Sequence, residues 1–235
     1  FGGQHRTDGS CSVILNGPAF EVLLFAEIQG AIQMRIQFTH SARNRDSLLT
    51  PMGATRPIDL MLQYRLRLVR CEPTTRFNVD GVRCQGDGVL RDGPERFQLE
   101  PWSDGEWTRY RDAFVPMITR FWDAKFALTP NRPWYSHTGP AGTAQATEIS
   151  CSLSLGLIDA NPHLTYYIIK PRELGFRSMV TNDRRLGVFT HRDLSVDSAT
   201  RTTRVGPARH NVDYFQCTVL HEFGHTLGLN HVNGD

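Results

Sequence analysis

The chain has 235 residues, which is enough for one large domain or two small ones with a sizeable core. Its 26 lysines and arginines nearly balance 24 aspartates and glutamates, and the net charge of +2 favours neither a nucleic-acid partner nor an acidic membrane surface. With 40% hydrophobic residues, 21% charged residues and no apolar run long enough for a membrane span, the composition excludes membrane-spanning, collagen-like and disordered classes.

The first hundred residues are dominated by predicted strands. Segments 31–38 and 60–68 alternate apolar and polar side chains, a pattern that is typical of half-buried strands. Segment 20–28 is a denser apolar run, which fits either a strand buried on both faces or a short helix. Turn-forming residues in 41–57 predict a loop. Residues 1–95 are therefore expected to form a β-rich N-terminal region, to which no motif assigns a role.

A second loop is predicted over 71–95, where segment 80–93 contains three Asp-Gly pairs. Such pairs favour tight turns. A calcium-binding loop is the alternative, but the irregular spacing of the acidic residues does not fit the EF-hand pattern. Turns are therefore the preferred interpretation.

Five cysteines are present, so at least one is unpaired within the chain. Cys71 and Cys84 flank the second predicted loop, where either a disulfide or two buried free thiols would fit. For Cys217, a core thiol or a disulfide with Cys151 is favoured over a role beside a metal.

From residue 96 onward the predicted order is a short strand, a long helix, several strands and a final helix. Ser103 precedes Glu106 with the spacing of a capping box, which predicts the start of the long helix. A stripe of large apolar side chains with helical spacing then predicts the face that packs in the core, formed by Trp107, Tyr110, Phe114, Met117 and Phe121. Pro116 predicts a kink or a fresh helix start within this segment.

After a predicted loop over 129–147, strand patterns return. The predicted strands are Ile149–Leu157, 163–170 and Leu186–Thr190. The final helix is predicted to begin near Val212, with Asn211 as its N-cap.

The final predicted helix carries the sequence HEFGHTLGLNH. His221 and His225 are four residues apart, so on a helix both side chains lie on one face and can chelate one metal ion. Glu222 projects about 60–100° away around the axis, beside such a metal. Gly228 can adopt the left-handed conformation that ends a helix, and that turn would return His231 as a third ligand. Three imidazole nitrogens and a water form the open site of catalytic zinc, whereas a surface helix rich in histidine is the disfavoured alternative.

This segment resembles the HExxHxxGxxH signature of the metzincin zinc metalloproteases. The predicted order of elements from residue 96 is also similar to the upper subdomain of that family. The resemblance implies an α+β fold, with a zincin-like (metzincin) catalytic domain over 96–235 that contains a mixed sheet and an active-site helix. Residues 1–95 would precede it as the β-rich region.

The function that the resemblance implies is zinc-dependent hydrolysis of peptide bonds. His221, His225 and His231 would bind Zn²⁺ as cofactor, and Glu222 would act as the general base that activates the zinc-bound water. Protein or peptide substrates are implied as partners. Secretion is also expected, since most metzincins act outside the producing cell.

The resemblance further implies that an edge strand shortly before the active-site helix binds the substrate in extended form. Leu186–Thr190 is the candidate for that strand, with Leu186, Gly187 and Val188 as the substrate-contacting residues.

The sequence departs from the family after His231. Metzincins continue to a tight turn with a methionine below the metal, but all five methionines of this chain precede the motif. The catalytic domain is therefore expected to lack its C-terminal subdomain in this chain. Two alternatives to an active endopeptidase stay open: a catalytically inactive zincin-fold binding or delivery module, or a cleaved enzyme fragment that needs a separate C-terminal piece.

Overall fold

The computed structural model describes the backbone of residues 58–128, 149–205 and 208–229, and of short strands outside these ranges. Side chains are described at 45–48, 59–125, 150–198 and 215–229. By its internal contacts the chain forms two compact units, Phe1–Tyr64 with Trp122–Gly156, and Arg65–Phe121 with Leu157–Asp235. We call them the first and the second unit.

The described elements are the following. The strands are β1 (Gln4–His5), β2 (Cys11–Ser12), β3 (Glu21–Leu24), β4 (Ile36–Ala42), β5 (Arg45–Thr50), β6 (Ile58–Arg70), β7 (Arg76–Val79), β8 (Val82–Gln85), β9 (Val89–Asp92), β10 (Glu95–Gln98), β11 (Phe126–Leu128), β12 (Ser136–Thr138), β13 (Ala144–Ala146), β14 (Ile149–Leu157), β15 (Leu164–Ile169), β16 (Met179–Val180), β17 (Leu186–Thr190), β18 (Val196–Val205) and β19 (Ala208–Cys217). The helices are α1 (Asp104–Trp122) and α2 (Thr218–Leu227).

The first unit is built from antiparallel strands. β3, β4, β5 and the first half of β6 pair in chain order, β14 pairs with β6 and β11, and β1–β2 and β12–β13 form two further pairs. The strand alternative for 20–28 is thus confirmed at β3. Residues 31–35 and most of the predicted loop 129–147 lie outside the described residues.

One predicted loop of the first unit is wrong, because β5 occupies 45–50 of the predicted loop 41–57. Its backbone pairs with β4 on one side and β6 on the other, for example Leu49 opposite Phe38 and Leu60. Hydrogen bonding to two neighbours outweighs the turn-forming composition of the segment.

The sheet of the second unit has the order β6–β15–β17–β16. β15 pairs in parallel with both β6 and β17, whereas β16 is antiparallel to β17, so the predicted mixed sheet is present. Phe114 of α1 contacts Tyr166 of β15 and Phe189 of β17. Tyr166 also reaches Thr226 of α2, so both helices pack against side chains of this sheet.

The capping box of α1 is confirmed. Ser103 donates its backbone N–H to the Glu106 carboxylate at 2.9 Å, and Glu106 donates its backbone N–H to Ser103 Oγ at 3.3 Å. The predicted fresh helix start at Pro116 is wrong, because α1 continues through this residue. Its buried face is formed by Tyr110, Phe114 and Ile118, whereas Phe121, predicted for that face, is 44% exposed.

The predicted loop 71–95 is also wrong, because β7 to β10 form an antiparallel meander over this segment. The Asp-Gly pairs are its turns: Asp80 and Gly81 adopt left-handed φ angles of 46° and 91° in the β7–β8 hairpin. Asp87 forms an ion pair with Arg91 across the next turn, so its carboxylate has a cationic partner.

The meander shares one core with the later strands of the second unit, including Ile169 and Val188. This shared core explains why residues 65–95 belong to the same compact unit as the later strands, whereas the sequence predicted a domain boundary near residue 95. Cys71 and Cys84 are buried free thiols in this core, and Cys151 and Cys217 are buried and free as well. No helix among the described residues is long and apolar enough to cross a lipid bilayer.

Candidate metal centre

The helix that carries the histidine motif begins later than the sequence predicted. Residues 208–217 form β19, which pairs with β18 over ten residues, so the predicted start near Val212 and the Asn211 cap are wrong. Continuous pairing with β18 keeps this segment extended up to Cys217, which precedes the first residue of α2. The helix therefore has only ten residues, and it contains the first two histidines of the motif, His221 and His225.

Three contacts hold α2 in place. Its apolar side chains Val219 and Phe223 are fully buried. Val219 donates its backbone N–H to the carbonyl of Asp193 at 3.2 Å, which satisfies one of the free amides at the helix start. The buried hydroxyls of Tyr166 and Thr226 lie 2.7 Å apart and form a hydrogen bond between the sheet and the helix.

The predicted left-handed glycine at the end of the helix is confirmed. Gly228 has φ 102° and ψ 7°, and it donates its N–H to the carbonyl of His225 at 3.0 Å. Leu229 donates its N–H to Gly224 O at 3.0 Å, which completes the capping of the last turn. His231 lies outside the described residues, so its role as third ligand stays a prediction.

The structure brings His221, Glu222 and His225 together. One ligand atom from each side chain lies within 4.8 Å of the other two, and they are the one such group among the described residues. The two imidazole rings are perpendicular with centroids 4.9 Å apart. This spacing allows one nitrogen of each ring to face a common ion.

A hydrogen bond fixes the tautomer of His225. Its Nδ1 lies 2.8 Å from the carbonyl oxygen of Leu229, and a carbonyl can only accept, so Nδ1 carries the proton. The lone pair of the neutral ring is then on Nε2. Metal-binding histidines typically donate their other N–H to a backbone carbonyl or a carboxylate in this way. The donor set and its orientation therefore fit a zinc ion.

Glu222 is more enclosed than its neighbour, since its side chain is 12% exposed and that of His221 is 36% exposed. Burial raises the pKa of Glu222 above its ordinary value, while His225, the backbone N–H of Val180 and Arg177 act in the opposite direction. The carboxylate oxygen lies 4.0 Å from His221 Nε2. A carboxylate with a raised pKa beside a metal site is suited to accept and return a proton.

A cleft of about 350 Å³ extends from these residues. Glu222, His225 and Leu229 form one wall, and the other follows β16 and the turn after it. Thr181 donates its N–H to Leu186 O at 2.8 Å, so the backbone groups of the preceding Val180 point away from β17. We call β16 the cleft strand.

The expectation that Leu186–Thr190 forms the edge strand needs correction. β17 is hydrogen-bonded to β15 on one side and β16 on the other, and among the described strands β16 pairs with β17 alone. Val188 is fully buried, and a Cβ on Gly187 would lie 2.8 Å from Phe189. Leu186, Gly187 and Val188 therefore support the cleft strand from within the sheet.

Sequence reasoning missed Asp193, which links the cleft strand to the helix. Its buried carboxylate accepts hydrogen bonds from Ser178 Oγ at 2.5 Å and from the N–H and hydroxyl of Thr190 at 2.6 and 2.9 Å. Ser178 precedes the cleft strand, and the Asp193 carbonyl accepts from Val219 of α2. The Thr-x-x-Asp spacing of Thr190 and Asp193 matches a capping box and was the available signal.

No protein family, curated protein or solved structure matches this chain.

Proposed function

We propose that the protein is a zinc-dependent endopeptidase of the metzincin type. The observation that carries the proposal is the cluster of His221, Glu222 and His225, of which Glu222 and His225 line the cleft. One ligand atom of each side chain lies within 4.8 Å of the other two, the tautomer of His225 puts the ring lone pair on Nε2, and the carboxylate of Glu222 is largely buried. A helix that is rich in histidine by chance has no reason to combine these features.

His221 and His225 would hold the ion, with His231 as the proposed third ligand. A bound zinc ion supplies Lewis acidity, which polarises a peptide carbonyl and lowers the pKa of water. Glu222 would take a proton from the attacking water and deliver it to the leaving amine. Partial burial raises the pKa of Glu222 and so brings this group closer to the range in which both transfers are efficient.

The cleft strand would hold the substrate in extended form. The backbone C=O of Val180 points away from β17 and can accept a hydrogen bond from a peptide N–H. The N–H of the same residue hydrogen-bonds to Glu222, so the strand also orients the general base. A peptide bound along β16 would therefore pass beside the base and the two histidines.

The test separates metal binding from catalysis. Purified wild-type protein and the variants Glu222→Gln and His225→Ala are compared for zinc content by mass spectrometry and for cleavage of a denatured protein. We expect about one zinc per wild-type chain, and Glu222→Gln should retain the zinc but lose at least about 100-fold in activity. His225→Ala should lose both.

The control is Glu95→Gln, which changes an exposed glutamate of the meander and should leave zinc content and activity unchanged. Full activity of Glu222→Gln would contradict the role of the base. Stoichiometric zinc with no cleavage by the wild-type protein would instead favour the inactive binding module or the incomplete fragment.

A further inference from the structure

The cleft beside the candidate metal centre has a basic lining. Arg177 and Arg184 both line it, and Glu222 is the one acidic residue among the described residues of its lining. Arg177 precedes the cleft strand and is exposed, whereas Arg184 follows it and is half-buried. The described part of the cleft lining therefore carries more positive than negative charge at the place where a substrate would bind.

Arg184 is held in position by its own turn. Its backbone N–H donates to Thr181 O at 2.7 Å, and the residue adopts a left-handed φ of 61°, which is uncommon outside glycine. Asp183 accepts from the hydroxyl of Thr181 at 2.5 Å and from the N–H of Arg185 at 3.0 Å. The adjacent carboxylate thus accepts hydrogen bonds from the turn itself.

The guanidinium of Arg184 lies against the end of α2. A Cβ on Gly228 would lie 3.0 Å from its Nη1 atom. The nearby helix carbonyls of Gly224 and His225 already accept backbone N–H groups. Within the described part of the chain, the Arg184 guanidinium forms neither an ion pair nor a hydrogen bond, and a half-buried charge of this kind favours an anionic ligand.

We propose that Arg184, assisted by Arg177, binds a carboxylate of the peptide substrate and so makes the enzyme selective for acidic residues near the cleaved bond. The planar guanidinium can bind a carboxylate through two parallel hydrogen bonds. The carboxylate can come from an aspartate or glutamate side chain or from the C-terminus of a peptide. This inference rests on the proposed function, because it takes the ligand to be the peptide substrate. The carboxylate site itself can be tested without catalysis.

The binding test uses Glu222→Gln, which keeps both arginines, and fluorescein-labelled peptides measured by anisotropy. Three peptides are compared: an amidated one with a central Asp, the same with Asn, and the Asn peptide with a free C-terminal carboxylate. We expect the Asp peptide to bind about 10- to 100-fold more tightly than amidated Asn, and the difference to shrink as salt increases. Tighter binding of the third peptide alone would assign the site to a C-terminus and overturn the preference for internal acidic residues.

The variant Arg184→Gln in the same background should abolish this difference, and Arg184→Lys should restore part of it. The matched control is Arg111→Gln, on the exposed side of α1, which should leave the difference intact. Equal binding of the Asp and Asn peptides to the Glu222→Gln protein, which keeps Arg184, would overturn the proposal even if Arg184→Gln does not fold.

A cleavage test then distinguishes this inference from the proposed function. Wild-type protein should cleave the Asp peptide with about 10- to 100-fold higher kcat/KM than the Asn peptide. Cleavage of both peptides at one rate would refute acid selectivity and leave the endopeptidase standing. Acid-selective, Arg184-dependent binding without any cleavage would refute the endopeptidase and leave the carboxylate site standing.

Discussion

The hydrogen bond between Tyr166 and Thr226 joins the sheet to the helix of the candidate metal site, and its contribution to the free energy of unfolding can be measured. Both hydroxyls are buried, their oxygens lie 2.7 Å apart, and each of the two residues is fully inaccessible to solvent. Tyr166→Phe removes the hydroxyl and leaves the ring, which packs against Phe114 and Phe189. The substitution therefore removes the hydrogen bond to Thr226 and creates no large cavity.

The magnitude follows from the group that loses its partner. Leaving one buried hydroxyl unsatisfied costs about 1–3 kcal/mol, so Tyr166→Phe and Thr226→Val should each lower the free energy of unfolding by about that amount. The double variant leaves neither hydroxyl orphaned. We therefore expect its loss to be smaller than the sum of the single losses, with a coupling energy of about 1 kcal/mol.

The assay is urea unfolding of the four proteins, followed by circular dichroism. Tyr110→Phe provides the control, because its hydroxyl is buried and has no hydrogen-bond partner among the described residues. The same chemical change should there leave the free energy of unfolding unchanged or raise it. Additive losses at Tyr166 and Thr226, or an equal loss at Tyr110, would refute the assignment of this hydrogen bond as an anchor of α2.

Two further predictions concern carboxylates outside the histidine motif. Asp193→Ala should lower the free energy of unfolding by about 3 kcal/mol, because several buried donors lose their acceptor. It should also weaken zinc binding, measured in a competition titration with a chelator. Unchanged zinc affinity would contradict the positioning role of Asp193. The Lys170 ammonium lowers the pKa of Glu106 from 4.5 to about 2, so this carboxylate stabilises the fold above about pH 4.5 and its contribution disappears as the pH falls towards 2. The stability difference between wild type and Glu106→Gln, measured by urea unfolding, should therefore shrink over that range, and a difference that stays constant with pH would disprove this linkage.

Local sequence signals predicted those elements whose structure depends on their own residues. The capping box of Ser103 and Glu106 predicted the start of α1, and Gly228 predicted the end of α2. Ile149–Leu157 was predicted with the bounds that the structure has, because its alternation coincides with the burial of Leu153 and Leu155. In each case the deciding interaction lies within the segment or follows from its periodicity.

Elements whose conformation depends on pairing with other strands were mispredicted. β5 and the meander are rich in turn-forming residues, and their extended conformation depends on pairing with neighbouring strands. Residues near Val212 could continue a helix by composition, but pairing with β18 keeps them in a strand. The sequence also did not predict that β17 lies inside the sheet, because its neighbour β16 has only two residues and shows no alternating pattern.

The position of the candidate metal site also depends on contacts with other elements. The motif alone places His221 and His225 on one helical face, but it does not determine what that face meets. Asp193 couples the helix start to the residues that flank the cleft strand, and Val180 of that strand hydrogen-bonds to Glu222. Movement of β16 would therefore shift the base together with any peptide bound along the strand. If the proposed function holds, we expect substitutions that displace the cleft strand to lower kcat as well as to raise KM, since the proposed substrate and the proposed proton acceptor both depend on one strand.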